Sequence, residues 1–244
     1  MSRALKSFDY DELFHHFQPI VEGQSAEVYG YEALIRSESG IGPDRLFQTA
    51  RRRGELFKLD TVSFETAIES FFGKERAADD ESLLFLNLLP STIGNPLFSS
   101  FIAGLEVNYV RYFRRIVVEL NESTEEAHLW NTSNFEQGTN LLRERGFRIA
   151  LDDTGEGASS LRKLVELKPD VVKLDRYFAS GLSDSNQKQR IVNMMAELCR
   201  YDALLILEGV ETEQDWQIAK RLGVTLGQGY WLGRPALLPF KSRV

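Results

Sequence analysis

The stretch FQPIVEGQSAEVYGYEALIRS (residues 17–37) holds two apolar runs, FQPIVE (17–22) and VYGYEALIRS (28–37), joined only by GQSAE. Short apolar runs bounded in this way read as strands. A parallel crossover needs about a dozen residues or more, so these two strands are expected to lie antiparallel. Further runs follow: LLFLNLL (83–89), IVVELN (116–121), RIALDD (148–153), VVKLD (171–175), LLILEGV (204–210) and LGQGYWLG (226–233). Stretches with helical patterning separate most of them, among them RIVNMMAELCRY (190–201) and EQDWQIAKRLG (213–223), the second ending on a glycine stop. Strands alternating with helices, eight strands in all, predict an α/β fold: a closed (β/α)8 barrel of the TIM type with an antiparallel first strand.

A length of 244 residues suits such a barrel as one domain, and the whole chain, 1–244, is expected to form it. The 43% hydrophobic and 27% charged composition is that of a globular protein with a sizeable core. With 29 basic and 36 acidic residues the net charge is −7, which argues against binding polymeric nucleic acid but leaves room for a small phosphate ligand if metal ions supply positive charge. The single cysteine, Cys199, excludes an intrachain disulfide and a cysteine-rich zinc site and reads as a core residue. No apolar run approaches the ~20 residues that span a bilayer, and MSRALKSFDYDELFHHF lacks the apolar segment of a signal peptide, so the chain reads as cytoplasmic, with no membrane partner.

Side chains alternate across a strand, and residues of one parity point into a barrel. In these runs Glu32 shares parity with Arg36, Asn87 with Phe85, Glu119 with Val117, Asp152 with Ala150, Lys173 with Asp175, Glu208 with Ile206 and Gln228 with Tyr230. Each has an ordinary reading alone. Glu32 could pair with an arginine on the helix side, Asn87 could cap a strand end, Lys173 could pair with Asp175, Glu208 and Glu211 could be a strand end and a helix cap, and Asp152-Asp153 could be a solvated turn. Glu119, after three apolar residues, is costly to bury unpaired. All of them fall at equivalent strand ends, where barrels of this type place their chemistry. Clustered carboxylates need a positive partner, and carboxylate and amide oxygens suit Mg2+ or Mn2+. The histidines His15, His16 and His128 are expected outside the strand ends, the first two in a helix. Adjacent aspartates can hold two ions about 3.5–4 Å apart, so Asp152 is expected to bridge two metals and Asp153 to complete the second site.

Taken together, QPIVEGQSAEVYGYEALIR, NLLPSTI, VVELNES, ALDDTGEGASSL, VVKLD, EGVETE and QGYWLGRP resemble, in order and spacing, the EAL family of cyclic di-GMP phosphodiesterases, named for the triplet at Glu32-Ala33-Leu34. The resemblance implies a (β/α)8 barrel with an antiparallel first strand. It implies that Glu32, Asn87, Glu119 and Asp152 bind the first metal and that Asp152 and Asp153 bind the second. Lys173 is implied to hold and polarise the attacking water, with Glu208 and Asp175 supporting the metal–water network and Glu211 ordering the site. Gln18, Arg36, Asp175 and Gln228 are implied to contact the nucleotide, and Glu122 to anchor the loop after strand five. The activity implied is two-metal hydrolysis of cyclic di-GMP to linear 5′-pGpG with Mg2+ or Mn2+, calcium being inhibitory, and the assembly implied is a homodimer. The alternative is a catalytically weak barrel that serves as a cyclic di-GMP receptor or protein-interaction module, but such proteins commonly lose a metal acid or the lysine, and this chain keeps them.

The departures lie around strand five. The family usually reads Asp-Asp-Phe-Gly-Thr-Gly-Tyr-Ser-Ser, whereas here Thr154, Glu156 and Ala158 replace the aromatic, the threonine and the tyrosine, and Asn121 stands where threonine is usual. Thr154 offers less apolar area than an aromatic, so the loop is expected to be looser, and Thr154→Phe, alone or with Ala158→Tyr, is expected to raise turnover or tighten the second metal.

Overall fold

The computed structural model describes residues 9–73, 81–121, 126–155 and 160–238. Eight strands close a barrel in sequence order: β1 (Leu13–Glu22), β2 (Val28–Ser37), β3 (Leu83–Asn87), β4 (Ile116–Asn121), β5 (Arg148–Thr154), β6 (Val171–Leu174), β7 (Leu204–Leu207) and β8 (Leu226–Gln228). The α-helices are α1 (Pro43–Arg53), α2 (Leu56–Phe72), α3 (Pro90–Ile93), α4 (Phe98–Tyr109), α5 (Ser133–Glu144), α6 (Ser160–Leu167), α7 (Arg176–Ala179), α8 (Asn186–Cys199) and α9 (Glu213–Arg221). The short 23–27 connection does set β1 antiparallel to β2, and β1 also closes the barrel antiparallel to β8, all other neighbours being parallel. Among the described residues no helix is long and apolar enough to cross a membrane.

Two sequence expectations are corrected. The first strand begins at Leu13 rather than 17, so His15 and His16 are strand residues, paired with Ile35 and Leu34. A hairpin connection lets the ladder continue as long as both faces find partners. Leu13, His15 and Phe17 pack outward, His15 Nε2 lying 3.0 Å from Ser63 Oγ and the Phe17 ring 5.7 Å from that of Phe71. Because β1 runs against its neighbours, its first residues lie on the rim where the other strands end. The last strand stops at Gln228 instead of running to 233. There the chain passes so close to the end of β7 that a Cβ on Gly229 would lie 2.2 Å from the Val210 backbone nitrogen. Residues 230–233 therefore turn across β7, and Ala236 bridges back to Phe17.

The barrel interior is layered. Ile20, Leu83, Phe85, Val117, Ala150, Val171, Ile206 and Leu226 form a closed apolar floor. Gly30 faces Phe85 there, and a Cβ on it would come within 2.9 Å of that ring, so glycine makes room for the aromatic that plugs the barrel. Two residues further along each strand, in the same parity, stand Gln18, Glu32, Asn87, Glu119, Asp152, Lys173, Glu208 and Gln228. The helices cover the outside with three apolar clusters, one built on Phe64, Phe71, Phe113 and Phe147, one on Val192, Met195, Trp216 and Cys199, and a smaller one on Leu13, Ile35, Leu46 and Leu59. Cys199 is thus the core residue its sequence context suggests, and burial pushes its thiol up to about 11.

Candidate metal centre

The polar layer is organised around Lys173. Its ammonium lies 2.8 Å from Glu119 Oε1, 2.9 Å from Glu208 Oε1, 3.1 Å from Asp152 Oδ1 and 3.4 Å from Glu32 Oε2, with only 1% of the side chain exposed. Burial works against this ammonium, but Asp152, Glu119, Glu208 and Glu32 together hold its pKa well above the ordinary lysine value. The carboxylates outnumber it. Burial, reinforced by Glu32, pushes Glu119 well above the usual carboxylate range; burial likewise raises Asp152, and it lifts Glu208 to about 8 and Asp153 to about 6. One buried cation cannot keep this many acids ionised, and a divalent cation among them is the physical remedy.

Adjacent strand residues normally face opposite ways, yet Asp152 and Asp153 both reach the site. The cause is a β-bulge. The β5–β6 register runs Leu151↔Val172 and then Thr154↔Leu174, so Asp152 and Asp153 together oppose the single residue Lys173. Asp153 accommodates the extra residue in the left-handed region, at φ 51°. Carboxylate oxygens of Asp152, Asp153 and Glu208 can all lie within 4.8 Å of one another, which adds Glu208 to the expected second set of donors. Asn121, at the end of β4, donates from Nδ2 to Asp153 Oδ2.

The remaining expected first-metal ligands also meet. Asn87 Nδ2 donates to Glu32 Oε1 at 3.2 Å and to Glu119 Oε2 at 3.1 Å, placing the amide directly between two carboxylates. The two ends of an amide are nearly isosteric, so a half-turn about the last side-chain bond presents its oxygen at the same position. Carboxylate and amide oxygens around two such points form a hard-oxygen donor set that fits Mg2+ or Mn2+.

The glutamines do something other than line the chamber. Gln228 Nε2 donates to Glu32 Oε2 at 2.6 Å and to Gln18 Oε1 at 3.3 Å, while Gln18 Nε2 donates to the Gly233 carbonyl at 3.1 Å. Both are buried, and they orient Glu32 from below. Asp175 caps the short α7, accepting from Tyr177 N at 2.8 Å, and forms no ion pair with Lys173 among the described residues. Glu211 is exposed and has no hydrogen-bond or ion-pair partner among the described residues, so the structure does not tie it into the site. Glu122, Glu156 and Ala158 lie outside the described residues. Arg36 stands on the rim opposite Phe14 and lines a cavity of about 300 Å3 that also touches Asn87 and Asn121.

Two buried acids that the sequence reading missed fix the loop after Asn87. Asp60 Oδ2 accepts from Leu89 N at 2.9 Å, and Glu126 accepts from Ser91 N at 2.8 Å and from Arg51 Nη2 at 2.8 Å. The signal for Asp60 was available: it is an acid within the apolar stretch LFKLDTVSF.

Residues 156–159 of the loop expected to be loose lie outside the described residues, and the structure describes only its start. Thr154 is the last residue of β5, 1% exposed, and Phe178 packs against the next residue so closely that a Cβ on Gly155 would lie 2.5 Å from its ring. Thr154 is already enclosed, so an aromatic in its place requires its neighbours to move. Thr154→Phe is now expected to destabilise the fold by about 1–3 kcal/mol through overpacking. Thermal melts check this, and a variant that melts at or above wild type, with faster turnover, reinstates the original expectation.

Comparison with known proteins places this geometry in context. A family model described as EAL domain matches residues 1–235. The chain is 30% identical to the probable cyclic di-GMP phosphodiesterase PdeI of Escherichia coli K12, over 97% of this chain and 30% of that protein. It is 28% identical to the cyclic di-GMP phosphodiesterase NbdA of Pseudomonas aeruginosa, over 92% of this chain and 29% of that one. The chain thus spans about a third of the length of these relatives. Klebsiella pneumoniae BlrP1, solved as a manganese and cyclic di-GMP complex, superposes with a TM-score of 0.80 at 27% identity, covering 92% of this chain and 56% of that one.

Proposed function

The chain belongs to the EAL domain family, and from that premise we propose that it is a metal-dependent phosphodiesterase that hydrolyses cyclic di-GMP to linear 5′-pGpG. The observation that carries the reading is the complete polar layer: Glu32, Asn87, Glu119, Asp152, Asp153 and Glu208 gathered around Lys173 at one end of the barrel. A barrel that serves only as a receptor commonly loses a metal acid or the lysine, and this chain keeps them. Relatives named for the activity and the structure of BlrP1 with manganese and cyclic di-GMP support the same reading.

In this mechanism Glu32, Asn87, Glu119 and Asp152 would hold one divalent cation, and Asp152, Asp153 and Glu208 would hold the other. When bound, such ions would supply positive charge for the phosphodiester and for activating water. Arg36, on the rim of the adjoining cavity, is placed to contact a phosphate oxygen. Lys173 donates to the attacking oxygen and offsets the negative charge that grows on it. A carboxylate of the layer takes the water proton as the P–O bond to the attacking oxygen forms. The P–O3′ bond breaks, and the departing O3′ takes up a proton.

Incubation of the purified chain with cyclic di-GMP and Mn2+, with pGpG resolved from intact substrate, tests the reading. Turnover is expected with Mg2+ or Mn2+ and is expected to vanish on chelation. Calcium is expected to support binding without efficient cleavage, because its looser coordination positions the water poorly. Undiminished cleavage in excess chelator, or tight binding with no cleavage in Mn2+, overturns the proposal.

A further inference from the structure

We infer that Asn121 is a positioning residue that aims the Asp153 carboxylate at the second metal; the inference rests on the two-metal reading above. Asp153 is the least secured of the metal-facing groups. It sits at the bulge, at φ 51°, in the left-handed region that residues with a Cβ adopt only sparingly. Its carboxylate faces Asp152 and Asp175, which repel it, and burial disfavours its charge further. Lys173 attracts it but forms its ion pairs with the other acids of the layer. Among the described residues, the side-chain donor that holds Asp153 in place is Asn121 Nδ2.

The register explains how Asn121 reaches it. Asn121 is the last residue of β4, with its Cα level with Asp152 on β5, so its side chain crosses the strand boundary to the next residue along. A threonine at this position carries its hydroxyl directly on Cβ, whereas asparagine places its donor one bond further out. The amide nitrogen also carries two N–H donors, whereas a hydroxyl carries one. Removing a partner that orients a metal-binding carboxylate typically weakens metal affinity about 10–100-fold.

The test is a Mn2+ titration of the full chain by calorimetry, with electron paramagnetic resonance to follow pairing of the two ions and a thermal melt as the fold control. Wild type is expected to take up two Mn2+. Asn121→Ala is expected to retain the first at unchanged affinity and to bind the second about 10–100-fold more weakly, with loss of the coupled-pair signal. Asn121→Thr is expected to restore part of that affinity by returning a donor. Second-site affinity unchanged in Asn121→Ala, or both sites weakened alike, overturns the assignment while leaving two-metal binding intact. Wild type that takes up no second Mn2+ overturns the two-metal reading and this inference with it.

Discussion

Replacing Lys173 with methionine is expected to lower the catalytic rate by about a thousandfold or more and to depress the melting temperature of the protein without added metal by on the order of 10 °C. The side chain is almost fully buried and its ammonium is the shared partner of Glu32, Glu119, Asp152 and Glu208. Methionine fills nearly the same volume but leaves these acids facing one another. Removing one partner of a buried ion pair typically costs about 3–5 kcal/mol. Saturating Mn2+ is expected to recover most of the lost stability, because a divalent cation offsets the same charges, but not the rate, because the donor to the attacking oxygen is gone. Metal affinity itself should be at least that of wild type, since a competing cation has been removed. Melts with and without Mn2+, set beside initial rates, check all three outcomes. A variant that melts like wild type without metal shows that Lys173 is not the counter-ion of the layer, and one that keeps its rate shows that it has no part in the chemistry.

Asp152→Ala is expected to abolish turnover and to weaken Mn2+ binding at both positions, the broadest effect of any single carboxylate in the layer. Its oxygens lie between the Glu32, Asn87 and Glu119 group on one side and Asp153 and Glu208 on the other, and it pairs with Lys173 besides. Loss of metal positioning removes several kcal/mol of transition-state stabilisation, about a thousandfold in rate. Glu32→Ala is expected to remove metal and activity as well, but from the first position alone. Calorimetry separates the two: if Asp152→Ala still takes up one Mn2+ with wild-type affinity, Asp152 belongs to a single site.

The barrel was legible because its signals are local and repeated. Eight apolar runs, a connection too short for a crossover and a regular parity suffice to place Glu32, Asn87, Glu119, Asp152, Lys173, Glu208 and Gln228 in one layer, and the structure brings them together there. What parity cannot reach is its own violation. Strict alternation sends Asp153 away from Asp152, and only the bulge opposite Lys173 turns it back. The ammonium that the clustered acids demanded was Lys173 itself, a contact among strands distant in sequence that no local pattern encodes. Position alone does not reveal that Gln18 and Gln228 hydrogen-bond to each other, Gln228 to Glu32 and Gln18 to a backbone carbonyl, with the buried Gln228 Oε1 left without a partner. Thr154 is enclosed and Phe178 packs against the glycine that follows it, and side-chain volume judged from one residue could not anticipate these surroundings.

The antiparallel first strand has a topological consequence. In a barrel of eight uniform βα units every strand rises from the floor and every helix returns to it, so the chain both enters and leaves on the floor side. Here β1 starts at the rim, Leu13 opposite Ser37, and descends to Glu22 beside Leu226, while the segment after β8 climbs to the same rim and meets Phe17 through Ala236. Entry and exit therefore share the opposite face. A segment joined ahead of Leu13 or behind Leu238 departs from the rim that carries the polar layer and not from the floor. The floor is left as the place where a label or a surface tether stays out of the way.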